Sequence, residues 1–523
     1  MLSANSSKSG SKADWLWLGL MLYVGFIALY FVYRYNGNWA ENDSAVFSQA
    51  SRAIIKEGRL ITEQSETYPN GYVFQATSAF INAVTGLDIT RLQQLIYPLT
   101  AVLLVLPAYA LYREFTGSAR GAMFASLLLF TQPEFLFVIL RSSHEKFTRA
   151  LLLLCLFWLV RSFKLRHRPW LFAAHVGLFY LTAYALIASN NLLGNSFIFA
   201  VGAALALGWF LRKWRNYLQP QGSPIVKRLL YVTATCVGLV YLFTFYTYTP
   251  AQHDLLVLQN IWQKIAALLL DVQKTKNAYN QVSEGWISLP IYLTLSIANW
   301  LLLGASFVIW GRQMYRWLWK REVPQSPAAW LLGLLYAAFA LQGAASVVVD
   351  ASGSFGNLQH RIFPSFSIVA AAVAGGALGR WRPRRLGRVV QVGFSLSIFL
   401  LAIFSILKAT NEPLLSNKWT FYRPEEITAL RWSDAHLKNT EIWTEFDERL
   451  IAAFATVQNQ SLNHNVLVND KIQTATHNIL VTELTKLRGS RLQRALPVPP
   501  DALLIYDNGE AELYRVRAHT PFQ

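Results

Sequence analysis

Eleven apolar stretches of bilayer-spanning length divide this 523-residue chain. They lie near residues 14–34, 91–112, 118–135, 147–163, 170–189, 194–211, 228–247, 286–310, 327–349, 362–379 and 389–408. A helix that crosses a membrane needs roughly 20 apolar residues. Inside hydrocarbon no water can satisfy the backbone, so such runs must form helices. That confines the fold to a mainly α, polytopic transmembrane helical bundle of about eleven spans. Composition agrees: 54% of residues are hydrophobic and 15% charged, too apolar for a large soluble enzyme. The first run is longer than a signal-peptide core and lacks a small-residue cleavage site, so it reads as a retained span. Cys155 and Cys236 lie inside apolar runs and read as small hydrophobes, giving neither a disulfide framework nor a metal site.

The net charge of +18 is concentrated in short loops: "RSFKLRHR" (161–168), "RKWRN" (212–216), "RQMYRWLWKR" (312–321) and "RWRPRRLGR" (380–388). Lys and Arg hold such loops on the cytoplasmic side. Charge of this kind reports topology, and nucleic acid is not expected as a partner. With the N-terminus cytoplasmic, alternation places all these loops inside. Segments 35–90, 134–146, 190–193, 248–285, 350–361 and everything after 409 then face outward.

In the first outer loop, "SAVFSQASRAIIKEG" carries Val46, Ala50 and Ile54 at spacing four. This reads as an amphipathic interfacial helix stopped by Gly58. A second mildly amphipathic stretch follows a Pro-Asn-Gly turn at 69–71. Beyond residue 409 the composition changes. A helix is expected from Pro424, with Glu425 and Glu426 in its first turn. "TEIWTEF" reads as a strand, "ERLIAAFATV" as a helix, and "ALLIYDNGEAELYRVR" as a hairpin with a type I′ turn at Asn508-Gly509. The chain thus reads as a transmembrane domain over 1–409 and a small extracytoplasmic α/β domain over 410–523.

Three outer segments carry residues suited to chemistry. Glu41 and Asp43 stand where the chain leaves the first span. A carboxylate there can act as a general base toward a hydroxyl, or simply be a solvated end group. Arg141, His144, Glu145, Lys146 and Arg149 fall within ten residues between two spans. They read as a second acid/base and cationic motif, or as a solvated connector. Asp350 ends one span, and His360 with Arg361 opens the next. An arginine so placed can hold a phosphate through paired hydrogen bonds or anchor a lipid headgroup. Asn190 and Asn191 read as turn residues, and His175 as a histidine satisfied by packing.

The arrangement resembles the GT-C membrane glycosyltransferases, which include protein mannosyltransferases, lipid A aminoarabinose transferases and oligosaccharyltransferases. "ENDSAVFSQASRAIIKEG" is similar to that family's acidic motif and following helix. "LPAYALYREFTGSARGAMFASLLLFTQPEFLF" resembles the helix pair after it, and "LIYDNGEAELYRV" a tail hairpin of some members. The resemblance implies sugar transfer from a polyprenyl-phosphate-linked donor to a lipid, glycan or protein acceptor on the extracytoplasmic face. It implies Asp43, with Glu41, at the catalytic acidic position, and His144 and Glu145 at the second motif, flanked by Arg141 and Lys146. Arg361, with His360, falls at the donor phosphate. The resemblance makes no cofactor certain. A divalent metal (Mg or Mn), if one binds, would use Asp43, His144 and Glu145. The sequence reads Asn42-Asp43-Ser44 where the protein mannosyltransferase and aminoarabinose branches have Asp-Glu, so it departs from both, and its tail has no Trp-Trp-Asp motif, which favours a monosaccharide as the unit transferred.

The expected protein is therefore an inverting glycosyltransferase of a prokaryotic plasma membrane, in contact with membrane lipids. A lipid or sugar transporter or flippase, and a non-catalytic assembly protein, are the other classes that share its spans and polar outer turns.

Overall fold

A computed structural model describes residues 10–35, 42–60, 71–165, 167–214, 289–351, 358–380, 388–410, 422–437, 442–444, 462–463, 478–492, 496 and 498–516, with a few isolated positions between 238 and 266. The apolar runs within these ranges are helical. They form α1 (Gly10–Tyr35), α4 (Ile89–Thr116), α5 (Ala119–Phe130), α6 (Pro133–Leu140), α7 (Glu145–Lys164), α8 (Pro169–Ser189) and α9 (Asn191–Trp214). Then come α10 (Leu289–Leu295), α11 (Ile297–Leu318), α12 (Pro327–Ala351), α13 (Leu358–Arg380) and α14 (Arg388–Ala409). Between α1 and α4 lie α2 (Asn42–Glu57) and α3 (Val73–Thr85). Among the described residues six helices are long and apolar enough to cross a membrane: α1, α4, α8, α9, α12 and α13. The pair α5–α6 makes a seventh if it counts as one span. The run 228–247 lies outside the described residues, as do most of 248–285, the turn at Pro69-Asn70 and the helix expected over 448–457.

Two of the expected spans are not single helices. The run 118–135 bends by 75° between α5 and α6. Pro133 is the cause: it pushes the preceding Gln132 out of helical geometry, to φ −87° and ψ 118°. The run 286–310 is interrupted at Ser296, between α10 and α11.

The core is one cluster shared by most of these helices, with α13 at its centre, buried almost without break from Ile362 to Gly376. Small residues let α13 lie against α5. A methyl carbon added at Gly375 would sit 2.4 Å from the Ala125 nitrogen, and one at Gly379 would sit 2.5 Å from Gly121 Cα. With lipid as solvent, close backbone approach of this kind takes the place of hydrophobic drive.

Helix α4 is regular only toward its ends. Asp88 caps its start, accepting from the Thr90 and Arg91 N–H groups. Residues Leu92–Ile96 then take a π turn and Ala101–Leu104 a 3₁₀ turn. Pro98 explains the irregularity. The Tyr97 N–H bonds the Leu92 carbonyl, so the Gln93 carbonyl faces a Pro98 nitrogen that has no hydrogen. The Ala101 N–H turns to Leu99 and Pro98, and the Tyr97 carbonyl accepts instead from the Thr100 hydroxyl at 2.7 Å.

Past α14 the chain builds α15 (Pro424–His436), β1 (Ile442–Thr444), β2 (Leu462–Asn463), β3 (Asn478–Thr482), α16 (Glu483–Leu492), β4 (Leu503–Asp507) and β5 (Ala511–Arg515). The sheet order is β2-β1-β3-β5-β4. β1 is parallel to β2 and β3, and β5 is antiparallel to β3 and β4. Helix α15 starts at Pro424 as expected, and the Glu426 carboxylate accepts from the Arg423 N–H. The β4–β5 hairpin forms, but not through a type I′ turn. Gly509 has φ +86°, whereas Asn508 has no positive φ. The Asn508 side-chain oxygen accepts from the Glu510 and Ala511 N–H groups, which moves the reversal one residue along, to Gly509-Glu510.

Replacing Gly375 with valine forces α5 and α13 apart and costs about 1–3 kcal/mol or more. The thermal midpoint in detergent should fall by several degrees. Gly304→Ala, where nothing lies within 4 Å of the added carbon, should leave it unchanged.

Candidate functional site

The turn 141–146 is seated on α4 by two carbonyls of the irregular stretch around Pro98. The Ser142 hydroxyl donates to the Gln93 carbonyl, and the Lys146 ammonium to the Tyr97 carbonyl. Lys146 also lies over the Tyr97 ring, 5.5 Å from its centre. Of the expected second motif, Lys146 therefore faces α4, while Arg141, His144 and Glu145 form a separate buried group.

In that group the Arg141 guanidinium is 2.7 Å from the Glu145 carboxylate. Arg149, one turn on and fully buried, donates to the Ser365 hydroxyl (2.5 Å) and the Arg361 carbonyl (2.9 Å) of α13. His144 and Glu145 precede the apolar run of α7. Burial pushes the Glu145 carboxyl upward, but Arg141, Arg149, His144 and Arg361 outweigh it and hold the group at about 2. Burial also drives His144 down, to about 3, with Arg141, Arg361 and Arg149 adding to the effect and Glu145 opposing it. The hydrogen bonds agree with a neutral ring. Asn190 accepts the Leu193 N–H through Oδ1 (3.0 Å), so Nδ2 faces His144 Nε2 at 2.5 Å. Nε2 then accepts, and the ring proton sits on Nδ1.

Asn190 was expected to serve only the turn. It is buried, and its side chain joins the end of α8 to the motif from 46 residues away. Arg361 acts electrostatically on both His144 and Glu145. Its neighbour His360 is exposed and acts instead on Glu134, which is paired with Lys408. The two expected phosphate-binding residues thus serve different surroundings. The Asp350 carboxylate accepts from the Leu358 and Gln359 N–H groups at 2.9 and 2.8 Å, capping α13. His175 is satisfied locally: its ring contacts the Leu171 carbonyl and the Trp158 ring.

The first outer loop covers this group. Helix α2 ends at Glu57, as expected from Gly58, which has φ +65°. Its buried face is not the Val46–Ala50–Ile54 stripe, whose members are half-buried. Instead Ser44, Phe47, Ser48 and Ser51 face inward. The Phe47 ring lies 4.7 Å from the His144 ring and 5.2 Å from Phe74 of α3. Phe74 meets Tyr97 and Phe147 at 5.3 and 5.4 Å. On its other side α2 supplies Ala45 and Val46 to the core of the β-sheet unit, with Tyr422, Leu430, Leu480 and Leu513. Gly71 fits against the Ser189 carbonyl, where a methyl carbon would come within 2.3 Å, and the Tyr72 N–H bonds the Ala188 carbonyl. Asp43 begins α2, but its side chain, like all of Glu41, lies outside the described residues.

The described donors do not by themselves make a site for Mg or Mn. Among the described residues no three His, Cys, Asp or Glu side chains gather. Glu145 is paired with Arg141, and the guanidinium groups of Arg149 and Arg361 act on it too. Such a field suits an anion.

No protein-family model matches the sequence, and no curated protein matches it significantly. Solved structures do share its fold. One is the oligosaccharyltransferase AglB of Archaeoglobus fulgidus in complex with an inhibitory peptide and a dolichol-phosphate. It gives a TM-score of 0.55 at 14% identity, over 86% of this chain and 64% of its own length. The chain thus spans under two thirds of that protein. An A. fulgidus oligosaccharyltransferase tethered to an acceptor peptide gives 0.58 at 13%, covering 91% and 70%. ArnT of Cupriavidus metallidurans bound to undecaprenyl phosphate gives 0.53 at 12%, covering 95% and 97%.

Two outcomes follow from the site. Ser142→Ala leaves the Gln93 carbonyl unpaired and should cost about 1–3 kcal/mol. The loss should shrink in a Pro98→Ala background, where an N–H returns, as read by thermal midpoints of the four proteins. The second concerns pH. The folded pKa of His144 lies below its ordinary 6.5, so the unfolded chain binds that proton first. Stability from this group is present above 6.5 and declines as pH falls below it. The midpoint of the parent relative to His144→Gln should therefore drop between pH 6.5 and 5. With its apolar helices and these likenesses, the chain is an integral membrane protein that shares the fold of these oligosaccharyltransferase and ArnT structures.

Proposed function

We propose that the chain is a membrane glycosyltransferase that moves a sugar from a polyprenyl-phosphate-linked donor to an acceptor hydroxyl on the extracytoplasmic face. The observation that carries this reading is the buried cationic group of Arg141 and Arg149, with Arg361 beside it, under the first-loop helix. It stands in a fold shared with AglB in complex with a dolichol-phosphate and ArnT bound to undecaprenyl phosphate. Three guanidinium groups against one carboxylate leave net positive charge for a lipid phosphate.

In the transfer, the acceptor oxygen bonds to the anomeric carbon as the bond from that carbon to the phosphate oxygen breaks, inverting the centre. Asp43, in the first turn of α2, takes the acceptor proton. The electron pair leaves with polyprenyl phosphate, and the guanidinium groups stabilise the charge that grows there. His144 stays neutral and packs against Phe47, which keeps α2 seated. No step runs through a metal. The β-sheet unit over 410–523 belongs to the same extracytoplasmic face, and acceptors of lipid, glycan or protein type fit this chemistry equally.

Cells lacking the chain should lose a glycan or glycolipid detectable by mass spectrometry. Asp43→Asn should lower the transfer rate about a hundred- to ten-thousandfold, and Arg361→Ala about a hundredfold, both at unchanged expression. Full transfer by Asp43→Asn from a lipid-linked donor sinks the proposal.

A further inference from the structure

The three guanidinium groups of the cationic cluster are not equivalent. Arg361, in the first turn of α13, is half-buried. Arg141 is paired with Glu145. Arg149 is fully buried, and both of its terminal nitrogens are engaged with α13. Nη1 donates to the Ser365 hydroxyl (2.5 Å) and Nη2 to the Arg361 carbonyl (2.9 Å). A side chain enclosed and held in this way is not placed to grip a lipid phosphate. What it grips is the backbone of the residue proposed to do so.

Pro364 explains why that backbone needs holding. It lies inside α13, and its nitrogen has no hydrogen. The carbonyl four residues back, at His360, therefore loses its helical donor. One of the bonds that tie the first turn to the rest of the helix is missing. The two contacts of Arg149 straddle this break, one on Arg361 ahead of Pro364 and the other on Ser365 just after it. The start of the same turn is tied to α12, where the Asp350 carboxylate accepts from the Leu358 and Gln359 N–H groups. Charged side chains from two other helices thus fix the turn that carries Arg361. A guanidinium presents its donors in one rigid plane, which a lysine ammonium does not. It can set the orientation of the turn as well as its place.

We propose that Arg149 is a positioning residue: by gripping the Arg361 carbonyl and the Ser365 hydroxyl together, it aims the Arg361 side chain at the donor phosphate. The inference rests on the glycosyl-transfer reading and gives Arg149 and Ser365 a part in it. The charge of Arg149 adds to the local field, but the site depends on its fork. Placement matters at this scale, since an error of about 1 Å can cost about a hundredfold.

The test uses the full chain in lipid nanodiscs and compares binding of undecaprenyl phosphate with that of undecaprenol, which lacks the phosphate. Undecaprenyl phosphate carries the charge that the leaving group acquires. The parent should prefer it by about a hundredfold, and Arg361→Ala should cut that preference by about tenfold or more. Arg149→Lys keeps the charge and loses the fork. Ser365→Ala removes one of the two acceptors. Each should cut the preference by about three- to tenfold. Undecaprenol affinity should stay unchanged, which reports that the variants are folded. In an Arg361→Ala background neither should lower the preference further, because the group they aim is gone. A merely structural role would weaken both lipids and would persist in that background. If Arg149→Lys does not fold, Ser365→Ala and its double variant carry the test. The inference is overturned if the folded variants keep the full preference, if their losses persist without Arg361, or if undecaprenol affinity falls in parallel. Parental preference in Arg361→Ala also overturns it, while leaving the donor reading in place. No preference for undecaprenyl phosphate in the parent overturns the donor reading itself, and this inference with it.

Discussion

In hydrocarbon a backbone carbonyl without a partner has no water to turn to, and the structure is organised around where such groups arise. Pro98 cannot donate, so α4 loses its regular ladder for about three turns. The Gln93 carbonyl set free there is met by Ser142, and the Tyr97 carbonyl by Thr100 and Lys146. The irregular stretch of one helix thereby becomes the seat for the turn that carries Arg141, His144 and Glu145. The same logic recurs nearby, where the Thr131 carbonyl at the bend after α5 accepts from Ser405 of α14 at 2.5 Å. Breaks in these helices are thus joints, each closed by a polar side chain from another element.

The charges follow from that seating. Once the turn is fixed, Arg141 before the helix and Glu145 at its start pair, and Arg149 projects to α13. Burying cations in this way is costly unless they are hydrogen-bonded. Ser365 and the Arg361 carbonyl meet that need for Arg149. The neutral His144 is the complement of this crowd. A proton on it would stand among three guanidinium groups and against the Asn190 amide. The site is built to be positive with its histidine kept neutral.

Much of this was legible in the sequence, and the rest was hidden for identifiable reasons. Apolar length found the helices because it is a direct bilayer requirement, and Gly58 and Pro424 marked helix ends through local geometry alone. The hairpin was legible too, but its turn type was not, because the Asn508 side chain competes with its own backbone. The bend in 118–135 had a signal, Pro133, overridden by the continuous apolarity around it. The inward face of α2 was misread for a deeper reason. A helix that packs on polar groups buries serines, so its apolar stripe points elsewhere. Asn190 looked like turn punctuation because its partner, His144, is distant in sequence and adjacent only in space. Arg361 and His360 are neighbours in sequence, but on a helix successive side chains diverge by about 100°, which is enough to send them to different clusters.

The contacts of α2 and α1 with the end of the chain carry an arithmetic and a temporal consequence. The Tyr35 hydroxyl donates to the Thr410 carbonyl at 2.9 Å, and Ala45 completes a core otherwise built from residues beyond 421. Two segments that touch outside a bilayer must lie on one side of it, so the chain crosses an even number of times between them. The helix that roofs the cationic group is made early, but its outer face stays bare until the last strands have been made and have closed over it.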